Sequence, residues 1–266
     1  MTATGGRGAF WDSHVLMVNR DDSHRRANVM AWVQRGLDRR DKILYSTVEG
    51  DPVLVPELRQ VDSEVAKAVR VGQFAFLPLE DFFPGARQAD LVRRALDEGY
   101  PGVRLSAQAD AAVRGVGADD YRAIDHRMDE LCASLPVSAL CQYDAGGVNG
   151  AILTTVIDSH PDAVQDARMR LCRRADGTVV AGEVDVASAV VLERVLRRIC
   201  REGSSELVLD VSGLTFVDVV GCRAMTVGTE AFRRHGGTVF CRGLNGHIRR
   251  VMCLLGMDRL PGVALV

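Results

Sequence analysis

The sequence predicts an α/β protein in two blocks: an N-terminal, mostly parallel sheet flanked by helices, and a smaller C-terminal α/β sandwich. Three observations predict it. Short apolar runs alternate with segments whose apolar residues recur at helical spacing. Gly, Pro, Asn and Asp mark most of the changes between the two patterns. The 266 residues are 47% hydrophobic and 26% charged, ordinary for soluble globular packing in one large or two smaller domains.

In the first block, Val15–Val18 reads as a strand after His14, and residues 23–39 as a helix. Ala27, Met30, Ala31, Val33 (or Gln34) and Leu37 are that helix's expected apolar stripe, and Arg39-Arg40 meets its negative end. Ile43–Val48 predicts a second strand, residues 56–70 a helix, and Phe74–Leu79 a third strand closed by Pro78 and later Pro84. Ala89, Leu91, Val92, Ala95 and Leu96 set a helix over 88–98, stopped by Gly99. Val103–Ser106 is a fourth strand, 118–134 a helix, and Val137–Tyr143 a fifth strand. This alternation favours βαβ units.

A seam is expected near 158–168, where Pro161 closes an apolar region and Gln165-Asp166-Ala167 forms a polar bridge. The expected domains are 12–162 and 166–262. Beyond the seam, Arg168–Cys172 and Thr178–Ala181 read as strands joined by the Asp176-Gly177 turn. A helix over Ser188–Arg201 carries Val191, Leu192, Val195, Leu196 and Ile199, with Ser188 as N-cap and Gly203 past its end. Leu207–Val211 is a continuous apolar strand, expected to be central. Asp218 caps a helix running to His235, Val239–Cys241 is a strand, and Asn245 opens a helix ending before Gly256. Four or five strands are expected in this block.

Composition narrows the function classes. The net charge of −2 gives no global field for nucleic acid or an anionic membrane. Of the 33 basic residues only Lys42 and Lys67 are lysines, and the arginine pairs are scattered over both blocks rather than aligned in a stripe. No uncharged apolar run approaches the ~18–20 residues of a membrane span. Met1–Gly8 has no apolar core of a secretory signal, so a cytoplasmic protein is expected. The seven cysteines show no C-x-x-C spacing and read as reduced, mostly buried thiols. Neither they nor the six histidines cluster along the chain, so no metal and no cofactor is expected.

The first strand-to-helix turn is Asn19-Arg20-Asp21-Asp22-Ser23-His24-Arg25-Arg26. A phosphate-binding turn needs glycine amides with a Lys and a Ser/Thr. This one has neither glycine nor lysine, and two carboxylates stand where the phosphate would sit, which fits helix capping. No G-x-S-x-G and no motif-defined Cys/His or Ser/His pair occurs, so no catalytic residue is assigned. His14 reads either as a ligand contact or as a core histidine. Asn19, Gln108, Tyr143 and Asp144 are candidate ligand contacts at strand ends, where open α/β sheets bind small molecules.

Gly182-Glu183-Val184-Asp185-Val186-Ala187-Ser188-Ala189 and the run from Leu207 to Gly221, containing Leu209-Asp210-Val211-Ser212 and Phe216-Val217-Asp218, carry a family resemblance. Through Leu260 the second block resembles the STAS domain of anti-sigma-factor antagonists. The resemblance implies a protein-binding domain for an anti-sigma factor, a serine-kinase-like protein or a related regulator. It assigns partner contacts to Asp185, Ser188, Asp218, Val219, Val220, Gly221 and Cys222. The phosphoacceptor hydroxyl falls at Val220, with Val219 beside it, so the usual addition of about −1.5 to −2 charges at a helix start is missing. Ser212 and Thr215 are nearby hydroxyls at other motif positions.

Residues 12–162 resemble the MEDS domain of methanogen, methylotroph and DcmR sensory proteins. Glu98-Gly99-Tyr100-Pro101-Gly102-Val103-Arg104, the run Leu135–Asp144, and Gly36-Leu37 with Lys42–Tyr45 carry the match. The resemblance implies a RecA-like fold without ATPase apparatus and sensing of small molecules, hydrocarbon derivatives among them. Gln108 stands where relatives usually have an acidic residue. Together these readings describe a cytosolic, non-enzymatic regulator that couples a sensory domain to a partner-binding domain. It is expected to bind neither nucleic acid nor membrane. The alternatives are a nucleotide-using enzyme with a degenerate RecA-like site and a constitutive scaffold with no ligand at all.

Overall fold

The computed structural model describes residues 10–47, 63–83, 86–147, 150–160, 162–202 and 205–266. The chain divides into two compact units, Met1–Ser159 and His160–Val266.

In the first unit, β1 (His14–Asn19) feeds α1 (Asp22–Arg39) and β2 (Lys42–Thr47). Then come α2 (Glu64–Arg70), β3 (Phe74–Pro78), α3 (Leu79–Phe82), α4 (Ala86–Asp97) and β4 (Val103–Gln108). The unit continues with α5 (Ala109–Val116), α6 (Ala118–Ser134), β5 (Val137–Asp144) and α7 (Gly150–Ser159). The strands lie in the order β3-β2-β4-β5-β1, every neighbouring pair parallel. Parallel strands connected through helices are buried on both faces, and β1 is buried along its whole length. Val92 and Ala95 of α4 and Met128 of α6 pack with Val103, Leu105 and Val137 in one core cluster.

Several expectations shift. The α1 stripe is phased differently: Val29, Trp32, Val33 and Gly36 are buried, whereas Ala27 and Ala31 are exposed. The reason is Arg104 on β4. Its guanidinium is fully buried over the Trp32 ring, 5.5 Å from the centroid. Its Nε donates to Asp41 at 3.0 Å, one terminal nitrogen donates to the Trp11 carbonyl at 3.0 Å, and the other pairs with Asp12. Two carboxylates thus neutralise a charge that burial would otherwise exclude. A Cβ at Gly36 would meet Arg104 Cδ at 2.6 Å, so the helix face over the arginine is built around that glycine.

The helix expected over 56–70 is seen as Glu64–Arg70, with Ser63 Oγ accepting from Ala66 N at 3.1 Å; residues 56–62, like Val48 and Pro84, lie outside the described residues. Helices α3, α5 and α7 are additional to the sequence expectation, and Leu79, expected to end the third strand, instead opens α3. Residue Gln108 passes directly from β4 into α5 without a side-chain cap bond, so no capping signal marks that start.

In the second unit, β6 (Ala163–Asp166), β7 (Met169–Arg174) and β8 (Gly177–Val184) precede α8 (Ala189–Ile199) and β9 (Glu206–Asp210). They are followed by β10 (Leu214–Val217), α9 (Val219–Gly228), α10 (Glu230–Arg234), β11 (Thr238–Arg242), α11 (Gly246–Leu254) and β12 (Val263–Leu265). The order β12-β11-β9-β8-β7-β6, with β10 also on β8, places β9 between β8 and β11. β7 pairs antiparallel with β6 and β8, and the other pairs are parallel. The Asp176-Gly177 turn closes the β7–β8 hairpin, with Arg174 opposite Gly177.

The polar bridge at Gln165-Asp166 is instead strand β6, held by its ladder to β7. The short strands β10 and β12 also exceed the sequence expectation, giving this unit seven strands among its described residues. The helix expected from Asp218 to His235 breaks at Thr229 into α9 and α10. Ser188 does not cap α8 through its side chain; its Oγ accepts from Asp185 N at 3.2 Å, tightening the preceding turn. Gly203 lies outside the described residues.

Candidate functional site

The strongest candidate surface is the start of α9. Asp218 has extended backbone and its Oδ1 accepts from Gly221 N at 2.7 Å, an N-cap bond that satisfies an orphan amide. Its Oδ2 accepts from Val186 N at 3.2 Å, tying the β8–α8 turn to the α9 start. That turn is set by Asp185, whose Oδ1 accepts from Ala187 N at 2.9 Å. Around this bond aliphatic side chains face solvent: Val219 is 62% exposed, Val220 40% and Val186 70%. Val190 and Phe216 are exposed as well. Isolated exposed apolar residues are unremarkable, but a group of them around one capped helix start is the kind of patch that marks a binding surface.

The seven expected partner contacts therefore divide. Val219 and Val220 are on the surface, and Asp185 and Asp218 are half-buried beneath it. Ser188, Gly221 and Cys222 are buried and hold the turn rather than face a partner. A Cβ on Gly221 would meet the Val184 carbonyl oxygen at 2.6 Å, so glycine lets α9 start against β8. Ser212 and Thr215 are exposed; Thr215 Oγ1 donates to the Gly182 carbonyl at 2.9 Å.

A second arrangement lies at the carboxyl ends of β1, β4 and β5. Asn19, Gln108 and Asp144 line a cleft of about 440 Å³ together with Arg25, Arg114 and Gln142. Asn19 is 4% exposed, and its Oδ1 has no hydrogen-bond partner among the described residues. The sequence reading missed Gln142, a strand-interior amide. Its Oε1 accepts from Arg25 Nε at 2.9 Å and its Nε2 donates to Ser106 Oγ at 2.9 Å, so the cleft floor is pinned by a buried polar network. Tyr143, grouped with these residues by sequence, is instead buried in the core.

The β1–α1 turn flanks the cleft. Asp21 Oδ1 accepts from His24 N at 2.8 Å and from Ser23 Oγ at 2.7 Å, and Oδ2 pairs with His24 Nδ1 at 2.7 Å. The backbone bond from His24 pulls the carboxyl down to about 2. A carboxylate thus occupies the amide-rich position that an incoming phosphate would need.

His14 is remote from this cleft, at the other end of β1. Tyr121, Asp125 and Asp129 recur every fourth residue on one face of α6, and that face meets His14 of β1 and Cys141 of β5. His14 Nδ1 lies 2.7 Å from Asp129 Oδ1; its Nε2 lies 3.4 Å from Cys141 Sγ and 3.6 Å from Asp125 Oδ1. Burial pushes the Asp125 carboxyl up to about 7. For His14 burial opposes the charge, but Asp125, Cys141 and Asp129 outweigh it and hold its pKa well above the usual value. No sequence spacing announces this cluster, because its members come from three elements far apart along the chain.

No curated protein matches the chain. A STAS family model (Mlab, STAS domain) matches residues 172–266. Among solved structures, an anti-sigma factor antagonist from Mycobacterium paratuberculosis is 23% identical, covering 38% of this chain and 87% of that one at a TM-score of 0.31. The flagellar accessory protein FlaH from Methanocaldococcus jannaschii is 10% identical over 61% of this chain and 77% of that one, TM-score 0.41. A KaiC-like protein from Pyrococcus horikoshii is 12% identical over 64% and 79%, TM-score 0.42. The model of the methanogen/methylotroph, DcmR sensory domain matches residues 13–161, more than half of the chain. By that match the chain belongs to the MEDS family, and a STAS domain follows its MEDS domain.

Proposed function

We propose that this chain is a cytosolic, non-enzymatic regulator whose STAS domain docks an anti-sigma-type kinase or related regulator through the α9 start. The MEDS domain senses a small molecule. A sensory domain followed by a STAS domain supports a regulatory role. The observation that carries the docking reading is the exposed Val219-Val220 pair on the helix start capped by Asp218. Aliphatic side chains there accept no phosphoryl group, so binding is not switched off by phosphorylation at that site. The cleft beside Asn19 fits a small polar ligand with a hydrogen-bond donor for Asn19 Oδ1. A ligand preferring one conformational state would bias partner access by shifting populations. The carboxylate cap of Asp21 favours this reading over nucleotide hydrolysis.

The test titrates full-length protein, and its Val220→Asp variant, with the anti-sigma-type kinases of the same genome in the presence of Mg-ATP. The expected result is a complex with the wild-type chain, weakened at least tenfold by the aspartate, and no phosphate on residues 219–220. Equal binding by both proteins, or none by either, contradicts the docking reading.

A further inference from the structure

We propose that His14, Asp125 and Cys141 form a binding site for a divalent zinc-class cation in the MEDS domain. The inference does not rest on the partner-docking reading. It starts from three donors of the types zinc prefers, an imidazole nitrogen, a thiol sulfur and a carboxylate oxygen. Their ligating atoms lie within 4.8 Å of one another. The separations are 3.4 Å from Nε2 to Sγ, 3.6 Å from Nε2 to Oδ1, and 3.9 Å from Sγ to Oδ1. Tetrahedral coordination at ordinary zinc bond lengths places such donors about 3.3–3.6 Å apart. The triad therefore closes on an ion with shifts of a few tenths of an ångström.

The surroundings are built as a metal shell is built. Asp129 Oδ1 lies 2.7 Å from His14 Nδ1, so that nitrogen keeps its proton while Nε2, which faces the other two donors, would give up its own to become the ligand when a cation enters. Asp125 and Asp129 are one helical turn apart on α6, one as ligand and one as orienting carboxylate. Parallel pairing of β1 with β5, with Leu16 opposite Cys141, brings the cysteine to the sheet face that carries His14. Both His14 and Asp125 are more than nine-tenths buried. A small void of about 20 Å³ borders Tyr121, Asp125 and Cys141, leaving room beside the donors. A cation here would join β1, β5 and α6, with Cys141 entering as thiolate, His14 as neutral imidazole and Asp125 as carboxylate. The thiol proton, the Nε2 proton and any proton on Asp125 are released to solvent. The three donors leave further coordination positions to other ligands.

Cobalt(II) is the direct probe, because a thiolate ligand gives it an intense charge-transfer absorption. Full-length protein, stripped with chelator, is titrated with cobalt chloride and then back-titrated with zinc. The expected result is one cobalt per chain with a thiolate band that zinc abolishes. Cys141→Ser should remove the band, and Asp129→Asn, at a side chain reaching the surface, should weaken binding about 10- to 100-fold while leaving the band's shape. Absence of a thiolate band in the wild-type protein overturns the proposal whatever the variants do. So does a band that survives in Cys141→Ser.

Discussion

Two strand-to-helix turns in this protein solve the same local problem and end up with opposite surfaces. Asp21 caps α1 by accepting from His24 N at 2.8 Å, and Asp218 caps α9 by accepting from Gly221 N at 2.7 Å. In both, a carboxylate satisfies an amide that the helix leaves without a partner. Around Asp21 the neighbours are Arg20, Asp22, Ser23 and His24, a charged and hydrated rim beside a polar cleft. Around Asp218 they are Val186, Val219 and Val220, aliphatic and exposed. The cap builds the helix start in each case; the residues that follow decide what the start can bind. A polar rim suits a small hydrogen-bonding ligand, whereas an apolar rim gains from being covered by another protein.

The comparison can be broken most forcefully at Gly221. Gly221→Ala places a Cβ 2.6 Å from the Val184 carbonyl oxygen, an overpacking that should cost about 1–3 kcal/mol in chemical denaturation. His24, the corresponding amide donor in α1, is exposed, and His24→Ala should cost far less. The caps themselves come next. Asp218→Ala removes the bond from Gly221 and the one from Val186, and should cost about 1–2 kcal/mol. Asp218→Asn should recover part of that loss.

Val220→Asp sharpens the contrast in another way. Because Val220 is exposed, stability should stay within about 0.5 kcal/mol of wild type. Partner affinity, read by calorimetry, should nevertheless fall at least tenfold, about 1.4 kcal/mol. The smallest effect belongs to Asp21. Its carboxyl is held at about 2 in the fold against an ordinary 3.8, so its contribution is fully present above the ordinary value and fades as pH falls toward about 2. Melting curves over that interval should show a shallower acid loss in Asp21→Asn than in wild type.

The α9 start was legible in the sequence because everything that makes it is local. A cap residue, a glycine three positions on and two intervening valines are contiguous, and the Asn245 cap of α11, accepting from Ile248 N at 2.9 Å, reads the same way. Most strands and long helices of both units were legible for a similar reason, since their apolar periods are strong. What sequence reading missed depended on partners far along the chain. The α1 stripe was phased wrongly because Arg104, remote in sequence, dictates that Trp32 and Gly36 face inward. Strand β6 is polar and short, and becomes a strand through its ladder to β7. Helix α5 follows β4 with no capping bond to announce it. The division of ligand candidates followed the same rule: Asn19, Gln108 and Asp144 share a cleft, while Tyr143 turns into the core and His14 joins a different cluster.

Amide hydrogen exchange of the full-length chain, with and without a bound anti-sigma-type partner, tests the central claim most directly. The account predicts new protection confined to the β8–α8 turn around Val186 and to residues 216–222, unchanged after incubation with Mg-ATP. Protection elsewhere with that surface still exchanging freely, or loss of the complex through phosphate added at the α9 start, would contradict it.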